Sequence, residues 1–143
     1  MDKRFWICGT VVSFAALLLG FLVHGVLLAS DYAALAHEYR DARDSARQLP
    51  WVLLAYGLLG FAMTWIFSQG FAHDRRPLRQ GLRFGLAMAL VAAVPACLLS
   101  YAAQPLPMGF VARQAALGTG SMVLLGLLLA WLQPRRHALP DPR

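Results

Sequence analysis

The chain has 143 residues, 59% of them hydrophobic and 14% charged, with a mean hydropathy of +0.55. This composition excludes an ordinary soluble globular domain and leaves no stretch long enough for a separate one. A net charge of +6 would suit nucleic-acid binding in a soluble protein, but here the charges fall between apolar runs, which speaks for membrane topology and against a nucleic-acid partner.

The apolar runs cover residues 6–29, 51–70, 84–103 and 110–132, and Arg113 is the only charged residue within them. About 20 apolar residues suffice to cross the hydrocarbon core, and a backbone in lipid must satisfy its own hydrogen bonds, so each run predicts a membrane-spanning helix. The expected fold is all-α: a polytopic membrane protein with four transmembrane helices in a compact bundle, forming one membrane domain over residues 1–143.

The first run follows Met1, Asp2, Lys3 and Arg4, a start resembling that of a signal peptide. Its apolar core exceeds the roughly 7–15 residues of such peptides, so it is read as a retained span. After it, Ser30 and Asp31 are expected to cap an outer amphipathic segment over residues 31–47. The pairs His37 with Asp41 and Arg40 with Asp44 sit at helical spacing there. Pro50 suits the first turn of the second span. Pro77 is expected to open the third span below the membrane edge, with Arg79 and Arg83 reaching the interface, and Pro95 is expected to kink it. Residues 104–109, with Pro105 and Pro107, predict a tight turn. The tail, residues 133–143, carries three prolines and is expected to be loose.

Nine of the Lys and Arg residues fall on one side of a four-span chain: Lys3 and Arg4, Arg75 to Arg83, and Arg135 to Arg143. Arg40, Arg43, Arg47 and Arg113 fall on the other. Basic residues favour the cytoplasmic side, so both termini are expected inside. Trp6, Phe71, Phe84 and Trp131 would mark the inner interface, and Tyr32, Trp51, Tyr101 and Phe110 the outer one.

Each run also carries small residues at helical spacing. Examples are Gly9, Ser13, Ala16 and Gly20 in the first run, Gly57, Gly60 and Thr64 in the second, and Gly85, Ala89, Ala92 and Ala96 in the third, where Gly81 completes a GxxxG motif. Such stripes let helices approach closely in lipid, within one chain or between two copies. Cys8 and Cys97 lie within runs, without a CxxC, and read as small apolar fillers. No metal site, cofactor or catalytic constellation is expected: the histidines are scattered and no run holds a carboxylate.

Polar residues inside spans are candidate functional residues. His24, Tyr56, Tyr101, Arg113 and Gln114 all fall in the outer third of their runs, with Asp31 and Glu38 just above. His24, Tyr56, Tyr101, Arg113, Gln114 and Asp31 are the candidate ligand-binding residues: Arg113 a fixed cation, His24 a proton-sensitive donor or acceptor, the tyrosines hydroxyls. A pocket of this kind, open to the outer face, suits a carboxylate, a phosphate, a lipid head group or an acidic side chain of a partner. The alternative is structural, with Arg113 rising to pair with Asp31 and His24 making one interhelical hydrogen bond.

In size and span number the chain is similar to small multidrug exporters, but their embedded glutamate has only His24 as its counterpart in the first run. The stretch from Gly20 to Leu28, the following Asp31 and Tyr32, the stretch from Gly81 to Ala87, and the Gln104-Pro105-Leu106-Pro107 turn resemble small four-span bacterial inner-membrane proteins of unassigned function. That resemblance implies the four-helix membrane fold and no activity. The functional expectation is an accessory or scaffolding subunit that binds another membrane protein or itself; the alternative is an oligomeric transporter or channel for a small solute or lipid.

Overall fold

The computed structural model describes residues 3–36, 47–70 and 77–132, and these are helical almost throughout. Among the described residues, four helices are long and apolar enough to cross a membrane: Lys3–Leu27, Leu49–Gly70, Pro77–Ala103 and Met108–Leu132. The shortest has 22 residues and at 1.5 Å per residue spans about 33 Å, against about 30 Å of hydrocarbon. Their surfaces fit lipid. Phe14, Phe21, Leu90, Val91 and Trp131 are all more than 60% exposed, an apolar surface that water would not tolerate at this scale. The chain therefore reads as a multi-pass membrane protein.

The prolines act where expected. Pro50 lies in the first turn of the second long helix and Pro77 opens the third. Pro95 follows a five-residue π-helical segment, Ala89–Ala93, in which the Val94 amide reaches back to the Ala89 carbonyl. A proline cannot donate to the turn before it and its ring crowds that turn, so the wider winding takes up the mismatch. A second π-helical segment, Phe21–Leu27, ends the first long helix, with the Leu28 amide bonded to the Val23 carbonyl.

The start of the outer segment differs from expectation. A short helix, Ala29–Ala34, follows Leu28 directly, and it starts with no side-chain cap. Ser30 and Asp31 lie inside it rather than before it, because the chain keeps winding after the π-helical turn. Residues 37–46, with the pairs His37–Asp41 and Arg40–Asp44, Glu38 and Arg43, lie outside the described residues, as do Phe71, Arg75, Arg76 and the tail 133–143.

The first long helix packs along the second, and the third along the fourth; the first and fourth join the two pairs. Small residues set both close approaches. A β-carbon on Gly60 would lie 2.6 Å from Ser13 Cα, and the Ser13 hydroxyl donates to the Gly57 carbonyl at 3.2 Å. A β-carbon on Gly85 would lie 2.6 Å from both the Met122 carbonyl oxygen and Val123 Cα. Gly81 faces Gly126 in the same way. The GxxxG motif is thus occupied by this chain's own fourth helix.

Two apolar cores fill the interior. One is built on Val12, Ala16, Met63, Phe67, Leu125 and Leu129. The other, at the end bearing the short helix, is built on Val23, Leu28, Cys97, Leu106, Phe110 and Val111. Leu106 is buried although it lies in the turn, where its amide closes onto the Gln104 carbonyl at 2.7 Å around Pro105. The aromatics expected at the interfaces divide. Trp6, Trp51, Tyr101 and Trp131 are exposed, whereas Phe110 is 2% exposed. Tyr32 stacks edge-on against Phe110, and Phe84 against Phe67. These inward rings serve packing rather than an interfacial belt.

Candidate functional site

Between the two cores lies a half-open cavity of about 280 Å³ with walls from all four long helices. Its polar groups come from His24, Tyr56, Gln114 and Ser121. His24 is carried by the π-helical segment of the first helix, and Ala92 and Ala93, on the facing wall, by that of the third. Both departures from α-helical winding therefore border the same space, as π-helical turns often do at sites.

His24, Tyr32 and Gln114 form a connected set. His24 Nδ1 lies 2.9 Å from the Tyr32 hydroxyl. Gln114 Nε2 donates to the same hydroxyl at 3.5 Å, while Gln114 Oε1 is buried without a hydrogen-bond partner. The Tyr56 hydroxyl rests against Gly20, which has no side chain to displace it. Ser121 donates to the Leu117 carbonyl of its own helix at 3.0 Å.

Arg113 and Asp31 lie outside the cavity wall and pair with each other, Nη2 to Oδ1 at 2.8 Å. Adjacent residues of the short helix, Asp31 and Tyr32, thus engage adjacent residues of the fourth long helix, Arg113 and Gln114. The contact clamps the short helix across the end of the fourth. Asp31 is the more enclosed partner, its side chain 16% exposed against 63% for Arg113, and its Oδ2 is buried without a partner. Tyr101 is 43% exposed and takes no part in the cavity.

Of the six residues singled out from sequence, the cavity gathers His24, Tyr56 and Gln114, the clamp gathers Asp31 and Arg113, and Tyr101 stands apart. Among the described residues, the cavity wall holds no Lys, Arg, Asp or Glu. Tyr32, read from sequence as an interfacial aromatic, is the group that connects cavity and clamp. In regular α-helix, residues eight apart are rotated by about 80° beyond two full turns. The wider π-helical winding after His24 brings Tyr32 back onto its face, and no residue pattern announces that winding.

At the opposite end, polar side chains bond to nearby backbone. Thr64 donates to the Gly60 carbonyl at 2.8 Å and Ser68 to that of Trp65 at 2.7 Å. Gln80 donates to the Gly70 carbonyl at 2.9 Å, tying the third helix to the end of the second. No family model, curated protein or solved structure matches the chain, so its function is read from its own residues.

Proposed function

We propose that the chain is an accessory or scaffolding subunit of a bacterial inner membrane, with its four long helices in one bundle and both termini cytoplasmic, which binds another membrane protein. The observation that carries this reading is where the polar groups are spent. Asp31 with Arg113, His24 with Tyr32, and Ser13 with Gly57 all fix one element of the chain to another. Such bonds favour a rigid, lasting shape over a moving one. The core of Val12, Met63, Phe67 and Leu129 fills the half of the molecule that would have to open for a solute to pass, which speaks against the transporter reading. The orientation rests on the nine basic residues of one side against four on the other.

The reading is tested by deleting the protein from its native membrane and quantifying the remaining membrane proteins. A subunit of this kind leaves one specific partner depleted, as its orphaned surface is exposed to proteolysis, and re-expression restores that partner. If no membrane protein changes in abundance while uptake or efflux of a solute does, the transporter reading replaces it.

A further inference from the structure

The cavity has features that packing alone does not require. Its volume of about 280 Å³ lies just below that of small-ligand pockets, about 300 Å³ and upward, and well above the roughly 150 Å³ that admits a benzene ring. The small-residue stripe of the third helix divides at its π-helical segment. Gly81 and Gly85 are pressed against the fourth helix, whereas Ala92, Ala93 and Ala96 border the cavity. Ala93 still approaches the fourth helix at Gly118, while the small side chains of Ala92 and Ala96 leave room beside it.

The way in is lateral. The second and third long helices make no extended contact with each other, and meet at one end where Phe67 and Phe84 stack at 5.0 Å. Beyond that pair few contacts join the two helices, and Tyr56 and Leu59 line the cavity from one, Ala92 and Ala96 from the other. In a bilayer the gap faces lipid, so the occupant arrives dissolved in the membrane.

The walls define its chemistry. Leu19, Val23, Leu59, Met122 and Leu125 supply apolar surface. Arg113, the cation nearest in sequence to the wall, is taken up by Asp31 outside it. Among the described residues no counter-charge meets a carboxylate or phosphate there, so its entry is costly in a low dielectric. His24 and Gln114 reach the same Tyr32 hydroxyl, so their side-chain ends are neighbours, and Gln114 Oε1 still lacks a donor. Gln114 Oε1 is enclosed behind the cavity wall, so a ligand hydroxyl supplies that donor once the amide turns into the cavity, while its oxygen accepts from His24 Nε2 or the Tyr56 hydroxyl.

We propose that the cavity, entered from the lipid between the second and third long helices, binds a neutral, largely apolar molecule ending in a hydroxyl group, of the alkylphenol or quinol class. The ring fills the space between the apolar walls, the hydroxyl meets Gln114, and an alkyl tail trails through the lateral gap. The site belongs to the isolated chain and does not depend on any protein partner, so the accessory-subunit reading can fail without it, and the reverse.

The test is equilibrium binding of radiolabelled 4-octylphenol to the purified chain in lipid nanodiscs, with octylbenzene and octanoate as competitors. The expected result is saturable binding at one site per chain, with both competitors about tenfold weaker or worse, the loss that follows when a buried polar group is left unpaired. Ala92→Leu fills the cavity and abolishes the saturable component. Gln114→Leu leaves the space intact and removes the preference for octylphenol over octylbenzene; it decides the matter if Ala92→Leu does not fold. Partition that never saturates overturns the proposal. So does equal displacement by octylbenzene, or unchanged binding to a folded Ala92→Leu variant.

Discussion

The hydroxyl of Tyr32 lies 2.9 Å from Nδ1 of His24, eight residues back along the same chain. The bond joins the π-helical end of the first long helix to the short helix that follows, and so fixes how that helix lies over the fourth. It is expected to contribute about 0.5–1.5 kcal/mol, the net worth of one intramolecular hydrogen bond. A double-mutant cycle on Tyr32→Phe and His24→Ala, read by reversible unfolding in mixed micelles, measures it. Tyr32→Phe keeps the ring that packs edge-on against Phe110, so a coupling energy near zero would show that the hydroxyl does not bind His24.

The Asp31–Arg113 pair is unequal. Removing Arg113 strands a carboxylate whose side chain is only 16% exposed, whereas removing Asp31 frees a guanidinium that is already 63% exposed. Arg113→Ala is therefore expected to destabilise by about 1–3 kcal/mol, the cost of an enclosed polar group left unpaired. Asp31→Ala is expected to cost less than about 1 kcal/mol, as at an exposed pair. Unfolding midpoints of the two variants in one detergent system compare them, and equal losses would contradict the asymmetry.

Close helix contact makes some glycines replaceable and others not. Gly85 has no room for a β-carbon against Met122 and Val123, whereas Gly57 and Gly120 face open space. Gly85→Ala is expected to cost about 1–3 kcal/mol through overpacking, and Gly57→Ala and Gly120→Ala less than about 0.5 kcal/mol. Thermal unfolding of the three variants in one detergent checks the order.

The four long helices were legible because lipid imposes one rule on every residue: long apolar runs must be helical. Pro50 and Pro77 marked helix starts for the same local reason. The site was legible in part. Depth along each run brought His24, Tyr56 and Gln114 to one level, and the cavity unites them. Depth says nothing of rotation about the helix axis, so Tyr101, at a similar level, stands outside the cavity. Tyr32 was missed because its place depends on a π-helical turn, a tertiary accommodation with no sequence signature. The GxxxG motif of Gly81 and Gly85 left two partners open, and only packing assigns it to the fourth helix.

The proposed orientation makes a labelling prediction. With Cys8 and Cys97 replaced by alanine, a cysteine at Gln104 is expected to react with a membrane-impermeant maleimide in intact cells. One at Lys3 should react only after permeabilisation. Both positions are exposed in the structure. The reverse pattern would invert the topology, and reaction at both positions in intact cells would contradict the three crossings proposed between Lys3 and Gln104.

The central claim is that the chain works bound to a different membrane protein. Native mass spectrometry of the particle, released directly from its own membrane in lipid-preserving polymer, tests it. The account predicts one copy or a fixed number of copies of this 15.7 kDa chain in constant stoichiometry with a second, larger polypeptide, and the same ratio after extraction by a second polymer. A particle made only of this chain, monomeric or oligomeric, under both extractions would contradict it.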